Sequence, residues 1–348
     1  MKKTLVAVAA MAVVTGAFAQ ATISGVIDQA YYTSKVTSSA GVTSTTKGIG
    51  AQNNGTSEFT ISGAEDLGDG MKASFAFNMQ ADIDTTAGAP VMRRSHIGLQ
   101  GGFGSIKLGN QWTPAFYVAL AADPTRLVSS TSAGLVGATK SVGVSSSSIT
   151  YDLPSFVPGL AVQLQKGQGD ETAGSIAGQN TGGSLTYTSG PFMAAYGWQK
   201  LTAGTTPAAT TFTTAAGAAT ANLTTLATLT SGTSKISSTL TSVSYDLGVA
   251  KASILNSSDK VTGTTAKTSG TGFGVSIPVG AATSIGLISS STNSTSSSSV
   301  TYKEKGTRYA VFHNLSKRTT AYAFSGKSSL SGATTGHSMT AVGLQHGF

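Results

Sequence analysis

The sequence contains no cysteine and few charged residues. Asp, Glu, Lys and Arg together make up 10% of its 348 residues, where soluble domains usually carry about 25%. Without cysteine there is no disulfide framework and no thiolate metal site. Beyond the N-terminal segment there is also no run of about 20 apolar residues, which a membrane-spanning helix needs. These absences exclude a disulfide-stapled fold and a helical membrane protein, and they argue against an ordinary soluble surface.

Glycine and small polar residues are abundant instead. The chain has 43 glycines, about 12% against a usual 7%, and serine and threonine occur in almost every segment. A hydrophobic share of 39% argues against disorder. The formal net charge is +8, but the lysines and arginines are not clustered, so nucleic acid is not expected as a partner.

The first residues have the pattern of an export signal. Lys2 and Lys3 precede an apolar stretch at 5–14, and a small-x-small sequence follows at 17–19. We therefore expect a cleaved signal peptide at 1–19 and a mature chain of 20–348. The alternative, an uncleaved membrane anchor, is disfavoured because the apolar stretch is too short to span a bilayer.

The mature chain alternates between apolar and polar residues with a period of two, which predicts β-strands. One face of these strands is apolar, and the other carries mostly Ser, Thr, Gly, Gln and Asn, as a water-filled lumen requires. The clearest examples are 71–80, 192–199, 272–277 and 319–324. A soluble sandwich would place many charges on its polar face.

Short and long connections alternate along the chain. Tight turns fall at 66–70, 101–104, 189–191, 245–248 and 314–317, and longer stretches at 35–56, 83–91, 111–146, 168–181, 200–235, 258–269, 292–304 and 326–336. Eight long loops require seven short turns between them, of which the five above are named, and this alternation predicts an all-β, antiparallel transmembrane barrel of sixteen strands. Closure follows because hydrocarbon offers no hydrogen-bond partner to a free strand edge. The Thr/Ala-rich segment 202–234 is expected to be a low-complexity loop.

The C-terminal residues fit the same pattern. Val342, Leu344, His346 and Phe348 alternate with glycine and glutamine. This alternation places an aromatic C-terminal residue on the lipid-facing side of the last strand.

Enzyme motifs are absent from the sequence. The four histidines do not form an H-E-x-x-H pattern, and no G-x-S-x-G elbow occurs. The triplet 326–328 ends like a phosphate-binding loop but lacks the upstream glycine. We expect no enzymatic activity, no cofactor and no metal; a barrel hydrolase assembled from scattered residues is the least favoured alternative.

Five stretches carry a resemblance to a known family: 22–28, 61–73, 93–109, 151–156 and 343–348. They resemble the trimeric general-diffusion porins of the β-proteobacterial outer membrane. The resemblance implies a homotrimer of sixteen-stranded barrels for passive diffusion of ions and small hydrophilic solutes, each with its third long loop folded into the lumen. It also implies contact with outer-membrane lipid and lipopolysaccharide, and recognition of the C-terminal strand and Phe348 by the β-barrel assembly machinery.

The third long loop, 111–146, is far longer than most connections, which marks it as functional or disordered. Folded inward, its Asp123 and Arg126 would face charges on the wall and create a transverse field across the pore. Alternatively, Asp123 does not face the pore but forms a turn before Pro124.

Charged residues at lumen positions are the candidates for selectivity. Arg93 matches the wall arginine of the family, but alternation from Ile97 and Leu99 turns Arg94 inward, and a β-bulge would reconcile the two. The full set of wall candidates is Asp28, Glu58, Lys72, Arg93, Arg94 and Lys107.

The sequence departs from the family pattern at several positions. Glu58, Asn110 and Thr150 stand where relatives often have arginine, and Asn78 stands where an acid is common. We therefore expect a weakly selective pore with a mild anion preference. A surface-display or adhesin barrel, whose Ser/Thr-rich loops carry the function, is the main alternative.

Overall fold

The computed structural model describes residues 21–38, 40–51, 54–81, 91–125, 143–168, 179–202, 235–295, 301–331 and 335–348. The expected signal peptide at 1–19, most of the low-complexity segment 202–234 and the candidate Arg126 lie outside these residues. Across the described ranges, no helix has the length and apolar character needed to cross a membrane.

The described chain is almost entirely β-sheet, with one short helix. The strands are β1 Thr22–Thr37, β2 Thr43–Ala51, β3 Glu58–Gly68, β4 Met71–Gln80, β5 Val91–Gly101, β6 Gly104–Trp112, β7 Val144–Asp152, β8 Leu160–Gly167, β9 Asn180–Ser189, β10 Phe192–Thr202, β11 Lys235–Asp246, β12 Lys251–Val261, β13 Lys267–Val279, β14 Thr283–Thr295, β15 Thr301–Asn314, β16 Thr319–Leu330 and β17 Gly336–Gly347. The helix, α1, is Pro114–Ala122 and follows β6.

The strands close into an antiparallel barrel. From β3 to β17 each strand pairs with the next in sequence, and β1 pairs with β17 on one side and with both β2 and β3 on the other. Because β2 and β3 follow one another along the same edge of β1, they are two parts of one barrel strand, interrupted between Ala51 and Glu58. The seventeen segments therefore form sixteen barrel strands, which confirms the predicted fold class.

The strands extend further than the sequence indicated. The connection from β1 to β2 is only 38–42, and the connection from β12 to β13 is only 262–266. The Ser- and Thr-rich sequence predicts a longer loop in both places. Polar strands look like loops in sequence when neither face is apolar, and here the strands reach beyond the apolar belt of the barrel.

The two faces of the wall have opposite character. Large apolar side chains on the outer face are exposed, among them Ile97 at 62%, Phe273 at 59% and Val342 at 67%. Many buried positions are polar, including Thr150, Gln165, Gln199 and Ser242. This inside-out arrangement is the one expected of a barrel whose outer face contacts hydrocarbon.

The chain termini close the barrel. The Phe348 N–H donates to the Gly25 carbonyl at 3.0 Å, and the Gly25 N–H donates to the Phe348 carbonyl at 3.1 Å. A Cβ on Gly25 would lie 2.5 Å from Cζ of the Phe348 ring, so glycine is required beneath the terminal aromatic ring.

Candidate functional site

The third long connection begins with a well-capped helix. The Thr113 hydroxyl accepts a hydrogen bond from the Phe116 N–H at 3.4 Å, and Pro114 occupies the first turn. Both features are typical of helix N-termini. The helix ends at Asp123, where the backbone becomes extended.

One face of α1 packs on the barrel wall. Small and branched residues of α1 contact buried apolar residues on β10, β11, β12 and β14 in one cluster, whose members include Ala115, Val118, Ala119, Ala122, Ala195, Leu240, Leu255 and Ile288. Gly197 lets the helix approach closely, since a Cβ there would lie 3.1 Å from the Ala115 Cα and the Val118 Cγ2.

The contacts of 113–125 place this segment inside the barrel. It starts at the end of β6, and Thr125 reaches Arg308 on β15. Around the outside, the shorter route between those strands is roughly 34 Å at about 4.8 Å per strand. The helix and its extended flanks span only about 27 Å, and the helix contacts β8 to β12. A segment of this length can join the end of β6 to Arg308 only if it crosses the lumen as a chord.

The far end of this segment is fixed by Asp123. Its Oδ1 accepts hydrogen bonds from the Thr125 N–H at 2.7 Å and the Thr125 hydroxyl at 2.5 Å. The Arg308 guanidinium donates to the same hydroxyl at 3.2 Å and lies 3.9 Å from Asp123 Oδ2. All three residues are buried. The expectation that Asp123 faces the pore was therefore wrong; its carboxylate forms a local turn and anchors the segment to the wall.

On the opposite wall, one carboxylate holds two arginines. Glu58 Oε2 lies 2.6 Å from the Arg93 Nη1, and Glu58 Oε1 lies 2.5 Å from the Arg94 Nη2. The register between β4 and β5 shifts at this point, from Asn78 opposite Arg94 to Met79 opposite Met92. Arg93 is the extra residue of this bulge, so two consecutive arginines reach the same carboxylate. The expected bulge is present.

Further contacts hold the arginines in place. Arg94 Nε donates to Asn78 Oδ1 at 3.2 Å, and the Asn78 amide donates to Thr60. The guanidinium carbons of Arg93 and Arg94 lie 4.8 and 5.6 Å from the centroid of the Trp112 ring, within cation–π range.

Trp112 connects this wall cluster to the inward segment. Its ring stacks on Phe116 of α1, with centroids 4.1 Å apart and planes 11° from parallel. The position of the helix and the orientation of the two arginines therefore depend on the same indole ring.

A second ion pair lies further along the wall. Lys107 Nζ is 2.9 Å from Asp152 Oδ2, and the Gln163 amide donates to Asp152 Oδ1 at 2.6 Å. Both members of the pair are about one-third exposed. The positive charge of Lys107 is therefore compensated locally, as that of one arginine is by Glu58.

The exposed face of α1 carries no charge. Tyr117 is 46% exposed and Leu120 39%. Burial raises the pKa of the Tyr117 phenol, while the positive charges of Arg94 and Lys107 lower it. The net direction is upward, so the phenol is neutral at physiological pH. A neutral, partly aromatic surface thus opposes the charged wall, where the sequence led us to expect acids.

Asp28 does not line the pore, although the sequence predicted that it would. It lies on the inner face but is fully buried, and its Oδ1 accepts a hydrogen bond from the Tyr322 hydroxyl at 2.8 Å. The Asn54 N–H approaches both carboxylate oxygens at 3.3 Å, and Ser57 bonds the backbone of Asp28. Asp28 therefore holds the interruption between β2 and β3 against β1 and does not line the passage.

Lys72 lies at the turn end of the barrel. It pairs in register with Asp66 on β3 and Gln100 on β5, away from the cluster around Glu58. The structure thus brings Glu58, Arg93 and Arg94 together, places Lys107 in a neighbouring pair, and separates Asp28, Lys72 and Asp123 from them.

Sequence reasoning missed Arg308 and Trp112. Alternation would have found Arg308, since Tyr309 and Val311 are exposed on the outer face and Arg308 must then point inward. No local signal marks Trp112, because its role depends on a helix and a bulge distant in sequence.

A family model described as Gram-negative porin matches residues 6–333. The chain belongs to the Gram-negative porin family. Membership in this family places it in the outer membrane, as the sequence predicted.

Individual porins show how far the similarity extends. Outer membrane porin protein 32 of Delftia acidovorans is 30% identical over 57% of this chain and 59% of its own length. The major outer membrane protein P.IB of Neisseria meningitidis serogroup B is 29% identical over 57% of this chain and 58% of its own. The alignments thus span less than two thirds of these relatives.

The fold is shared over a greater length. The anion-selective porin from Comamonas acidovorans superposes with a TM-score of 0.75 over 95% of this chain and all of its own, at 22% identity. At that identity the likeness concerns the barrel fold alone.

Proposed function

We propose that the chain forms a water-filled channel for passive diffusion of ions and small hydrophilic solutes, with a mild anion preference. The observation that carries the preference is the wall cluster of Glu58, Arg93 and Arg94, in which two guanidinium groups share one carboxylate. This cluster has a net charge of +1, and the neighbouring pair of Lys107 and Asp152 adds none.

The exposure of the cluster makes this charge available to passing solutes. The three side chains are 19–30% exposed, so they contact water while remaining held by their partners. A fixed charge is screened over about 8–10 Å at physiological ionic strength. One net charge within that distance enriches anions modestly and does not exclude cations, so weak selectivity follows.

The relatives support this assignment. The Comamonas structure is described as anion-selective, and the Delftia relative is described as an outer membrane porin. Porin membership and the barrel fold favour a channel over an enzyme. We also propose that the protein assembles as a homotrimer and acts without a cofactor.

Ion selectivity tests the proposal directly. The reversal potential in a salt gradient is measured across planar bilayers for the wild type, Glu58→Arg and Arg94→Ala. We expect chloride preference to rise with Glu58→Arg and to fall with Arg94→Ala. If neither substitution changes the reversal potential, the cluster does not line the passage. Conductance that appears in groups of three steps would support the trimer.

The chain ends have proposed roles in biogenesis. We propose cleavage after residue 19 and recognition of the C-terminal strand by the β-barrel assembly machinery through Phe348, whose ring is 44% exposed. N-terminal sequencing of the purified protein tests the first role. Deletion of Phe348 tests the second, and we expect less folded barrel in the outer membrane.

A further inference from the structure

Three basic side chains occupy successive inward positions on the wall that faces α1. Arg94 and His96 alternate on β5 with the exposed, outward Ile97. Lys107 stands on β6 opposite Gly98, which is the next inward position of β5. The His96 imidazole lies within electrostatic reach of both Arg94 and Lys107, and inward positions on a strand are about 6.6 Å apart. The three side chains therefore form one basic strip.

The middle of this basic strip is recessed. In the sheet register, His96 lies between Ala76 on β4 and Gly109 on β6, and neither neighbour has a side chain longer than a methyl group. A Cβ on Gly109 would lie 2.1 Å from the Ser95 carbonyl oxygen, and the backbone there has a φ of +140°, so the position requires glycine. The wall thus stays open beside the imidazole, with a longer cationic side chain above and below it.

The opposing face of α1 supplies apolar surface and no acids. Tyr117 and Leu120 are three residues apart, so they share one side of the helix, and both are exposed. The Tyr117 phenol lies within electrostatic reach of Arg94, Lys107 and Asp152, which shows that it faces the basic strip. No charged residue occurs in α1. A solute that passes here meets cations on one side and a neutral, partly aromatic surface on the other.

The charge balance at this level suits one anionic group. The two carboxylates of the neighbouring ion pairs compensate two of the three wall cations, so one positive charge remains while His96 is neutral. The side chains of Arg94 and Lys107 are 30% and 32% exposed, and both can donate to a further carboxylate. On the other side of the passage α1 offers no cation for a second carboxylate, whereas a flat apolar group can leave water against Tyr117 and Leu120.

We propose that the basic strip and α1 together bind small monocarboxylates with a flat apolar body, of which benzoate is the simplest. The carboxylate accepts hydrogen bonds from the Arg94 guanidinium and the Lys107 ammonium, beside His96, and the ring lies against Tyr117. The inference rests on the proposed channel function and deepens it, since it names the anions that the passage retains longest. Chloride and acetate can use only the cationic half of this site.

The affinities of three small solutes test the proposal. Acetate, benzoate or neutral benzamide is added to channels conducting potassium chloride in planar bilayers, and each affinity is measured from the excess open-channel current noise that transient binding produces. In wild type we expect benzoate to bind about tenfold more tightly than acetate, because one face of its ring leaves water against α1. Benzamide has the same ring but no charge, and should bind much more weakly than benzoate.

Variants separate the contact with the ring from the contact with the charge. Tyr117→Ser should remove most of the preference for benzoate over acetate, while Tyr117→Phe should keep the wild-type ratio of the two affinities. Arg94→Ala should weaken both anions alike and leave their ratio as it is. The matched control is Tyr196→Ser, which removes a tyrosine of similar exposure, 44%, from the outer face of β10 and should keep the wild-type ratio.

Several results would overturn the proposal. These are equal affinities of benzoate and acetate in wild type, an unchanged ratio in Tyr117→Ser, or an equal fall of the ratio in Tyr196→Ser. Benzamide that binds as tightly as benzoate would also overturn it, since the cations would then contribute nothing. After any of these results the channel still conducts and the proposed function stands. A protein that conducts no ions would contradict the proposed function and this inference together.

Discussion

The Arg308 guanidinium donates a hydrogen bond to the Thr125 hydroxyl, which lies 183 positions earlier in the chain. Together with Asp123, this bond ties the end of the inward segment to β15, far around the barrel from its origin at β6. The segment is thus supported at both ends, by the Trp112–Phe116 stack at one and by a buried ionic contact at the other. Each support can be tested separately.

Removing Arg308 should loosen the far support. In Arg308→Gln, the buried Asp123 loses its cationic partner, and we expect a destabilisation on the order of 3 kcal/mol with noisier single-channel currents. Thermal unfolding of the barrel and the variance of the open-channel current measure these effects. The double variant Asp123→Asn/Arg308→Gln removes both charges and should be less destabilised than the sum of the single variants. Strict additivity would show that the two residues act independently.

Glu58→Gln should increase anion preference without a change of shape. The amide is isosteric with the carboxylate but leaves both arginine charges uncompensated, so the local charge rises by one. We expect a reversal potential shifted toward that of chloride, with a larger shift at low salt, where screening is weaker. Asp152→Asn, which frees Lys107 in the same way, is the comparison variant. A shift toward cations in Glu58→Gln would contradict the assigned sign.

Trp112→Ala should disconnect the wall cluster from α1. The indole contacts Phe116 by stacking and both arginines by cation–π geometry, and truncation of a buried aromatic residue costs about 3–5 kcal/mol. We expect a lower unfolding temperature and a changed single-channel conductance. The control is Trp198→Ala, on the outer face of β10, which should leave conductance as it is in wild type. If the two variants had equal conductance, the proposed connection of the wall cluster to α1 through Trp112 would be contradicted.

Asp28 and Tyr322 should affect stability but not permeation. Tyr322→Phe removes a hydroxyl that donates to a buried carboxylate, with an expected loss of about 1–3 kcal/mol. Asp28→Asn keeps the shape of the side chain but removes its charge, and should also destabilise the barrel. Both variants should retain wild-type reversal potentials in the bilayer assay. If either variant changed selectivity as much as Arg94→Ala does, Asp28 would have to line the passage.

Much of the barrel could be predicted from the sequence because each strand lies between lipid and water. Its side chains therefore alternate between apolar and polar with a period of two. Alternation at Val342, Leu344 and Phe348 identified the outer face of β17, and exposure of these residues confirms it. Alternation also showed that Arg94 should point inward, whereas the family resemblance favoured Arg93. The bulge lets both arginines point inward. These features are local, since they depend only on which side of one strand meets hydrocarbon.

The chemistry of the lumen was harder to predict, because it depends on contacts between distant segments. Asp123 looked like a pore acid, yet its role is set by Arg308, and Asp28 looked like a lumen charge until Tyr322 and Asn54 were placed around it. A charged residue on the inner face can contact water or fix the wall. The difference lies in partners that periodicity does not reveal.

The chord formed by 113–125 gives the two halves of the barrel different tolerance to sequence change. Side chains on β10 to β14 that contact α1 are shielded from solutes, so substitutions there are constrained by helix packing alone. On β3 to β6 each inward substitution alters the electrostatic path of a solute. In a substitution scan of inward positions, changes in permeability should therefore be confined to β3 to β6. Losses of folding should occur both there and on β10 to β14.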